Sequence, residues 1–194
     1  KDVNMYDVNL EKAKKLLDEA GYPVKADGTR FTVTVDYAPG SPTTKMMAEY
    51  LKPQLAKVGI DAKIRISPDF GTWAERVSNY NFDITTDNVF NWGDPVIGVH
   101  RTYSSANIVK GVPFSNTQQY RNPKVDAIME QAASEVDNEK RAKLYKEFQQ
   151  IVMSVVTKVV IPILPVFIAF TFCALSYEVT ITKQLPVFIQ VVVI

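Results

Sequence analysis

The sequence predicts an α/β fold with an open, mostly parallel sheet flanked by helices. Two observations support this prediction. Segments with apolar residues at helical spacing alternate along the chain with segments in which every second residue is apolar. Up to about residue 86, these segments follow one another as helix, strand, helix, strand, helix, strand. Such alternation is typical of parallel strands joined by crossover helices.

The first half of the chain carries clear start and stop signals. Asn9 can cap the first helix, which ends at Gly21. Residues 31–37 alternate apolar side chains with Thr and Asp, as expected for a strand. Ser41, followed by a proline, begins a second helix that Gly59 closes.

Three further segments continue the alternation. A second strand is predicted over residues 61–67 and a third over residues 82–86, separated by a helix with Trp73, Val77 and Tyr80 on one face. In sheets of this class, ligands bind outside the carboxyl ends of the strands. The loop that follows each strand is therefore a candidate binding segment.

The loop after the third strand is the most informative stretch. Residues 88–95 read NVFNWGDP, and the Gly-Asp-Pro end is typical of a turn, which places Phe90 and Trp92 on irregular backbone. Ligand pockets are rich in aromatic side chains, so these rings are candidate ligand contacts. The alternative is that they cover the end of the core. Asp94 is either a further contact or a turn former.

Residues 94–122 form a long segment without clear periodicity, which is often functional or wrapped on a surface. Within it, Arg101 could bind a carboxylate through two hydrogen bonds, or could be solvated. Tyr103 and His100 could present polar tips to the same ligand. After this segment, Asn122 caps another predicted helix, and a further helix follows.

The end of the chain differs in composition. Residues 159–177 are nineteen residues without a charge, which approaches the length of a membrane span. Pro162, Pro165 and many β-branched residues favour buried strands instead. We therefore predict a ligand-binding unit over residues 1–160 and an apolar tail of crossover strands over residues 161–194.

The composition argues against several functions. A formal charge of +1 gives no indication of a nucleic-acid partner. One cysteine and one histidine, Cys173 and His100, predict no metal site. No catalytic motif is present, so we predict that the chain is not an enzyme and needs no cofactor. The competing hypotheses are catalysis by loop carboxylates such as Asp87 and Asp94, and a membrane-anchored interaction module that uses the apolar tail.

Four phrases, taken in order, resemble one protein family. They are YDVNLEKAKKLLDEAGYP, then FTVTVDYAPGSPTTKMMAEYLKPQLAKVGIDAKI, then NFDI with NWGDP, and last NPKVDAIMEQAASEVDNEKRAKLYKEFQQIV leading to IPILP. Residues 6–165 are thereby similar to the C-terminal lobe of the extracytoplasmic solute-binding proteins of peptide/nickel-type ABC importers, which include dipeptide- and oligopeptide-binding proteins.

The resemblance implies a lobe like that of type II periplasmic-binding proteins. It further implies a receptor in the bacterial cell envelope, periplasmic or otherwise extracytoplasmic. Such a receptor captures a small solute, with peptides the leading class, and delivers it to an ABC permease. Members of the family are considerably longer and close two lobes over the ligand. The chain therefore looks like a fragment whose N-terminal partner lobe is missing.

The resemblance also bears on individual positions. In peptide-binding members, an aspartate in this loop pairs with the free amine of the peptide, and Asn91 stands at its place, with Asn88 where a tryptophan is expected. An amide carries no charge, which leaves open sugars or other small solutes. The predicted ligand-binding residues are Asn88, Phe90, Asn91, Trp92, Asp94, Arg101 and Tyr103.

Overall fold

A computed structural model describes residues 9–89, 93–156 and 176–181. In these ranges the helices are α1 (Leu10–Glu19), α2 (Pro42–Ala56), α3 (Phe70–Ser78), α4 (Val99–Tyr103), α5 (Pro123–Ser134) and α6 (Asn138–Val156). The strands are β1 (Phe31–Tyr37), β2 (Ile60–Arg65), β3 (Ile84–Val89) and β4 (Ser176–Ile181).

The described strands form one sheet in the order β2-β1-β3-β4. β1 pairs in parallel with β2 and with β3, whereas β4 is antiparallel to β3. The register places Asp36 beside Arg65 on one side and beside Thr85 on the other. The prediction of an α/β fold with an open, mostly parallel sheet is therefore confirmed.

The predicted helix starts are also observed. The Asn9 side chain accepts a hydrogen bond from the backbone N–H of Lys12 at 2.8 Å, and the Ser41 side chain accepts one from Thr44 at 3.4 Å. Asn122 caps α5 in the same way. Each cap satisfies a backbone donor that has no partner inside its helix.

The two faces of the sheet differ in chemistry. On one face, α1 and α2 pack against alternate residues of the strands and form an apolar core with Leu17, Val35 and Leu51 at its centre. The opposite face carries polar side chains such as Asp36 and Thr85, and α3 covers part of it. A separate cluster forms where α4, α5 and α6 meet.

The third strand begins later than the sequence predicts. Its ladder starts at Ile84. The carboxylate of the preceding residue, Asp83, accepts hydrogen bonds from the backbone N–H of Thr34 at 2.7 Å and from the Thr34 hydroxyl at 2.9 Å, so Asp83 does not continue the strand. The strand then runs on to Val89. The prediction that Asn88 lies in a loop is therefore wrong, since it pairs with Tyr177 of β4.

Only a short part of the predicted apolar tail lies among the described residues. Residues 176–181 form β4 and pair with β3 within this unit, while the rest of residues 161–194 lies outside the described ranges. Among the helices that are described, we find none with the length and apolar character required to cross a bilayer.

Candidate functional site

A small recess lies between α3, the carboxyl-terminal half of β3 and the segment that follows α4. Its inner wall includes Trp73, whose indole N–H donates a hydrogen bond to the hydroxyl of Thr85 at 3.1 Å. The side chains around it are mostly aromatic, hydroxyl-bearing or small. They belong to Trp73, Ala74, Val77, Thr85, Asp87, Thr102, Pro113, Phe114, Ser115 and Thr117.

Aromatic rings form one side of this recess. The ring centroids of Phe70 and Trp73 lie 5.4 Å apart, and Phe70 stacks on Phe114 at 5.9 Å. Phe70 is 47% exposed, so the cluster reaches from the core to the surface. The guanidinium of Arg101 lies over the Phe114 ring, 5.6 Å from its centroid, which is within the range of a cation–π contact.

Buried amides hold the segment that forms the outer wall. Asn116 is fully buried and donates to the carbonyls of Ser104 and Tyr120 at 3.0 and 2.8 Å, while it accepts from the N–H of Tyr120 at 2.9 Å. Gln118 donates to the carbonyl of Thr102 at 2.7 Å. Because these bonds satisfy buried backbone groups, a segment without helix or strand keeps a defined path.

A buried ion cluster fixes α3 to the sheet beside the recess. The carboxylate of Asp36 accepts two-pronged hydrogen bonds from Arg65 and one bond from Arg76 at 2.8 Å. Arg76 also contacts the hydroxyl of Ser67, just after β2. Asp36 thereby ties together β1, β2 and α3, the element that supplies Trp73.

Asp94 is engaged by helix α6. Its two carboxylate oxygens accept bonds from the guanidinium of Arg141 at 2.7 and 2.8 Å, and one of them also accepts from the N–H of Val96 at 2.9 Å. The hydrogen bond from Arg141 holds the pKa of Asp94 below its usual value. This carboxylate therefore anchors the turn after β3 to the helix.

His100 and Tyr103 both lie on α4, and His100 is half-buried whereas Tyr103 is buried. His100 Nε2 lies 3.0 Å from the hydroxyl of Tyr145, and burial lowers the pKa of the imidazole. Tyr103 is 1% exposed and packs edge-on against Tyr120 and Phe148. The prediction that Tyr103 lines a binding cleft is corrected, because its ring fills the core between α4, α5 and α6.

The remaining predicted residues fall into two groups. Phe90, Asn91 and Trp92 lie outside the described residues, so their ligand contacts stay predictions. Arg101 is exposed and borders the recess through Phe114. Phe114 is not among the residues predicted from the sequence, in which its local signal is an aromatic residue among turn formers in PFSNT.

The described part of the chain shows no candidate metal site. Residues 9–89, 93–156 and 176–181 contain no group of three or more His, Cys, Asp or Glu side chains placed to hold an ion.

A known protein family matches this chain. The family model described as "Bacterial extracellular solute-binding proteins, family 5 Middle" matches residues 1–110. The chain belongs to this family. The resemblance identified in the sequence is thereby confirmed, and members of the family act outside the cytoplasm in general.

Several curated relatives of the family 5 chain are named as binding proteins. This chain is 32% identical over 155 residues to heme-binding protein A of Haemophilus influenzae, and the match covers 78% of this chain and 27% of that protein. It is 30% identical over 153 residues to the dipeptide-binding protein of Escherichia coli, covering 76% of this chain and 27% of that protein. The chain thus spans about a quarter of the length of these relatives.

A solved structure confirms the fold. The family 5 chain matches the oligopeptide-binding protein AppA from Bacillus subtilis in complex with a nonapeptide, with a TM-score of 0.61 and 26% identity. The match covers 78% of this chain and 31% of that one. The predicted likeness to a lobe of a type II periplasmic-binding protein is therefore confirmed.

Proposed function

We propose that the chain forms the ligand-contacting part of one lobe of an extracytoplasmic receptor for an ABC importer. The receptor captures peptides or short oligopeptides between this lobe and a second one, and delivers them to a permease in the cytoplasmic membrane. Membership of family 5 supports the receptor role, and the names of the relatives support peptides as the solute.

The observation that carries this proposal is the position of the recess. It lies beside the carboxyl-terminal half of β3, in a sheet class that binds ligands beyond the carboxyl ends of its strands. Aromatic walls with a few polar groups are typical of small-molecule sites. The ion cluster around Asp36 and the buried amides around Asn116 hold the walls before any ligand arrives, and such preorganisation favours binding.

Peptide capture can be tested by isothermal calorimetry on the full-length receptor that contains this chain. We expect Ala-Ala-Ala to bind and Phe114→Ala to weaken binding by about tenfold, since burial of an aromatic ring against a ligand contributes a kcal/mol or more. Val136→Ala, which truncates an exposed side chain just beyond α5, is the matched control. Absence of peptide binding to the wild type would contradict the proposal.

A second candidate is a non-peptide solute. The hydroxyls of Thr85, Thr102 and Thr117 beside the rings of Trp73 and Phe114 would also suit a sugar. A relative with 32% identity is named as a heme-binding protein. Maltose and hemin, titrated into the same receptor under the same conditions, distinguish these candidates from peptides.

A further inference from the structure

We propose that Arg141 and His100 are positioning residues for solute capture: together they hold helix α4, which presents Thr102 to the recess, and they make this hold sensitive to pH. The inference rests on the receptor function proposed above and deepens it by naming how the same site is regulated. Both side chains lie outside the lining of the recess, so they act on a solute through α4.

Helix α4 is too short to be stable by itself. It has five residues, and its N-cap, Gly98, has no side chain to cap the first turn. Helices of this length depend on contacts with the rest of the protein. Thr102 of α4 is buried and lines the recess, and the neighbouring Arg101 lies over the ring of Phe114. The position of this wall of the recess therefore depends on what holds α4.

The turn that precedes α4 provides the first hold. The carbonyl of Pro95 accepts a hydrogen bond from the backbone N–H of His100 at 3.1 Å. In the same turn, the carboxylate of Asp94 accepts two hydrogen bonds from the guanidinium of Arg141 on α6. The Nε–H of Arg141 also donates to the carbonyl of Ala132 on α5 at 3.0 Å. One guanidinium thus ties the start of α4 to both following helices.

The side chain of His100 provides the second hold, on α4 itself. Its Nε2 atom lies 3.0 Å from the hydroxyl of Tyr145, and the guanidinium of Arg141 lies 5.5 Å from the centroid of the Tyr145 ring. Asp94, Arg141, Tyr145 and His100 therefore form one connected cluster between the turn, α6 and α4. The ring of Tyr103 holds the last residue of α4 in the core, and the cluster holds its start.

His100 is the member of this cluster that titrates near neutral pH. The hydrogen bond from Arg141 holds the pKa of Asp94 below its usual value, and burial raises the pKa of Tyr145. Burial lowers the pKa of His100, while the charge of Asp94 opposes this shift and that of Arg141 adds to it. On α5, the carboxylate of Asp126 is bonded to the 3-10 segment that follows α4.

The direction of the shift sets the direction of the pH effect. Because the folded pKa of His100 lies below its ordinary value of 6.5, the unfolded or loosened state takes up a proton first as the pH falls. The cluster is therefore at its most stable above that pH, and it loses stability as the pH falls toward the folded pKa. We expect the affinity for solute to fall over the same range.

Calorimetry with Ala-Ala-Ala on the full-length receptor that contains this chain, between about pH 5 and 7, tests the pH effect, since the peptide termini have pKa values near about 3.5 and 8. We expect the wild type to bind more weakly at the lower pH. His100→Gln should flatten this profile, because the amide can still form a hydrogen bond with the hydroxyl of Tyr145 but does not titrate.

Arg141→Lys tests the hold on the turn. Lysine keeps the charge but lacks the planar fork that binds both oxygens of Asp94 and the carbonyl of Ala132. We expect it to weaken binding of Ala-Ala-Ala at pH 7 by about fivefold, the factor that results if α4 is in place for about a fifth of the time. Melting temperatures, measured in parallel, verify that the fold is retained.

Arg121→Lys is the matched control, because it makes the same change at an exposed position outside the cluster. It should leave both the affinity and the pH profile unchanged. Equal binding of Ala-Ala-Ala to wild type and Arg141→Lys, or the same pH profile for wild type and His100→Gln, would overturn the inference while the receptor function stands. Failure of the wild type to bind Ala-Ala-Ala would overturn the proposed capture of peptides, and the inference with it.

Discussion

Asp36 illustrates what one residue contributes to this fold. Its carboxylate is fully buried, yet Arg65 and Arg76 surround it with hydrogen bonds from β2 and α3. Burial of a charge is costly unless it is paired, and removal of one partner leaves the others uncompensated. The cluster therefore acts as a clamp between β1, β2 and α3, and α3 lines the recess.

We predict that Asp36→Asn lowers the free energy of unfolding by about 3 kcal/mol, because two guanidinium groups lose their counter-charge in a largely buried place. Urea denaturation followed by circular dichroism measures this loss. Asp61→Asn is the control, since its pair with Lys63 is exposed and should contribute less than about 1 kcal/mol. Equal effects of the two substitutions would show that the Asp36 cluster is not a clamp.

The pair between Asp94 and Arg141 gives a prediction for pH. The pKa of Asp94 lies below its usual value in the folded protein, so the pair stabilises the fold at pH values above the unfolded pKa. This contribution is lost as the pH falls through the lower, folded pKa. In Arg141→Met, we expect the pKa of Asp94 to rise toward the ordinary value, as measured by NMR titration of the carboxyl carbon.

Arg121→Met is the appropriate comparison for that titration, because Arg121 is exposed and is not a partner of Asp94 in the described contacts. It should leave the pKa of Asp94 where the wild type has it. If Arg141→Met also leaves the pKa unchanged, the two-pronged bond is not its cause.

At the scale of elements, the segment between β3 and α5 is the least regular and the most closely associated with the recess. Apart from α4 and a short 3-10 helix at Ser105–Asn107, side chains of Asn116 and Gln118 organise its described part. These amides take over the role that a ladder of backbone bonds has in a helix or strand.

We predict that Asn116→Ala destabilises the protein by about 2–4 kcal/mol, since it leaves the N–H of Tyr120 and two carbonyls without their buried partner. Asn107→Ala is the control, because Asn107 donates a single side-chain bond, to the carbonyl of His100, and should cost about 1 kcal/mol. Thermal unfolding of both variants gives the comparison. A smaller loss for Asn116→Ala than for Asn107→Ala would contradict this account.

The elements of the first half could be predicted from sequence because their signals are local. Asn9 and Ser41 cap helices as expected, and β1 has the predicted bounds, since alternation and turn residues act over a few positions. The start of β3 could not be predicted, because Asp83 bonds Thr34, which is 49 positions away.

For the candidate site too, local signals could be predicted from the sequence and contacts between distant positions could not. The residue type and position of Arg101 predict a ligand contact; its guanidinium lies beside the recess, and the contact itself stays a prediction. Tyr103 was identified on the same grounds but is a core residue, because its neighbours come from helices that follow it by many positions. The contribution of Phe114 depends on the long-range packing of Phe70 and Trp73, for which the sequence has no local signal.

At the scale of the molecule, the chain spans about a quarter of the length of its curated relatives. Affinity in a receptor that closes two lobes depends on contacts from both sides. We therefore predict that the isolated 194-residue chain binds Ala-Ala-Ala at least about tenfold more weakly than the full-length receptor. Calorimetry on the two proteins decides this, and comparable affinities would contradict it.

The position of β2 at the end of the described sheet also bears on self-association of the protein. A terminal strand presents backbone donors and acceptors that can template association with another polypeptide. Lys63 is 64% exposed on this strand and forms an ion pair with Asp61 at 2.9 Å. Charged side chains on a terminal strand oppose such association, so we expect this lysine to reduce self-association of the chain at high concentration.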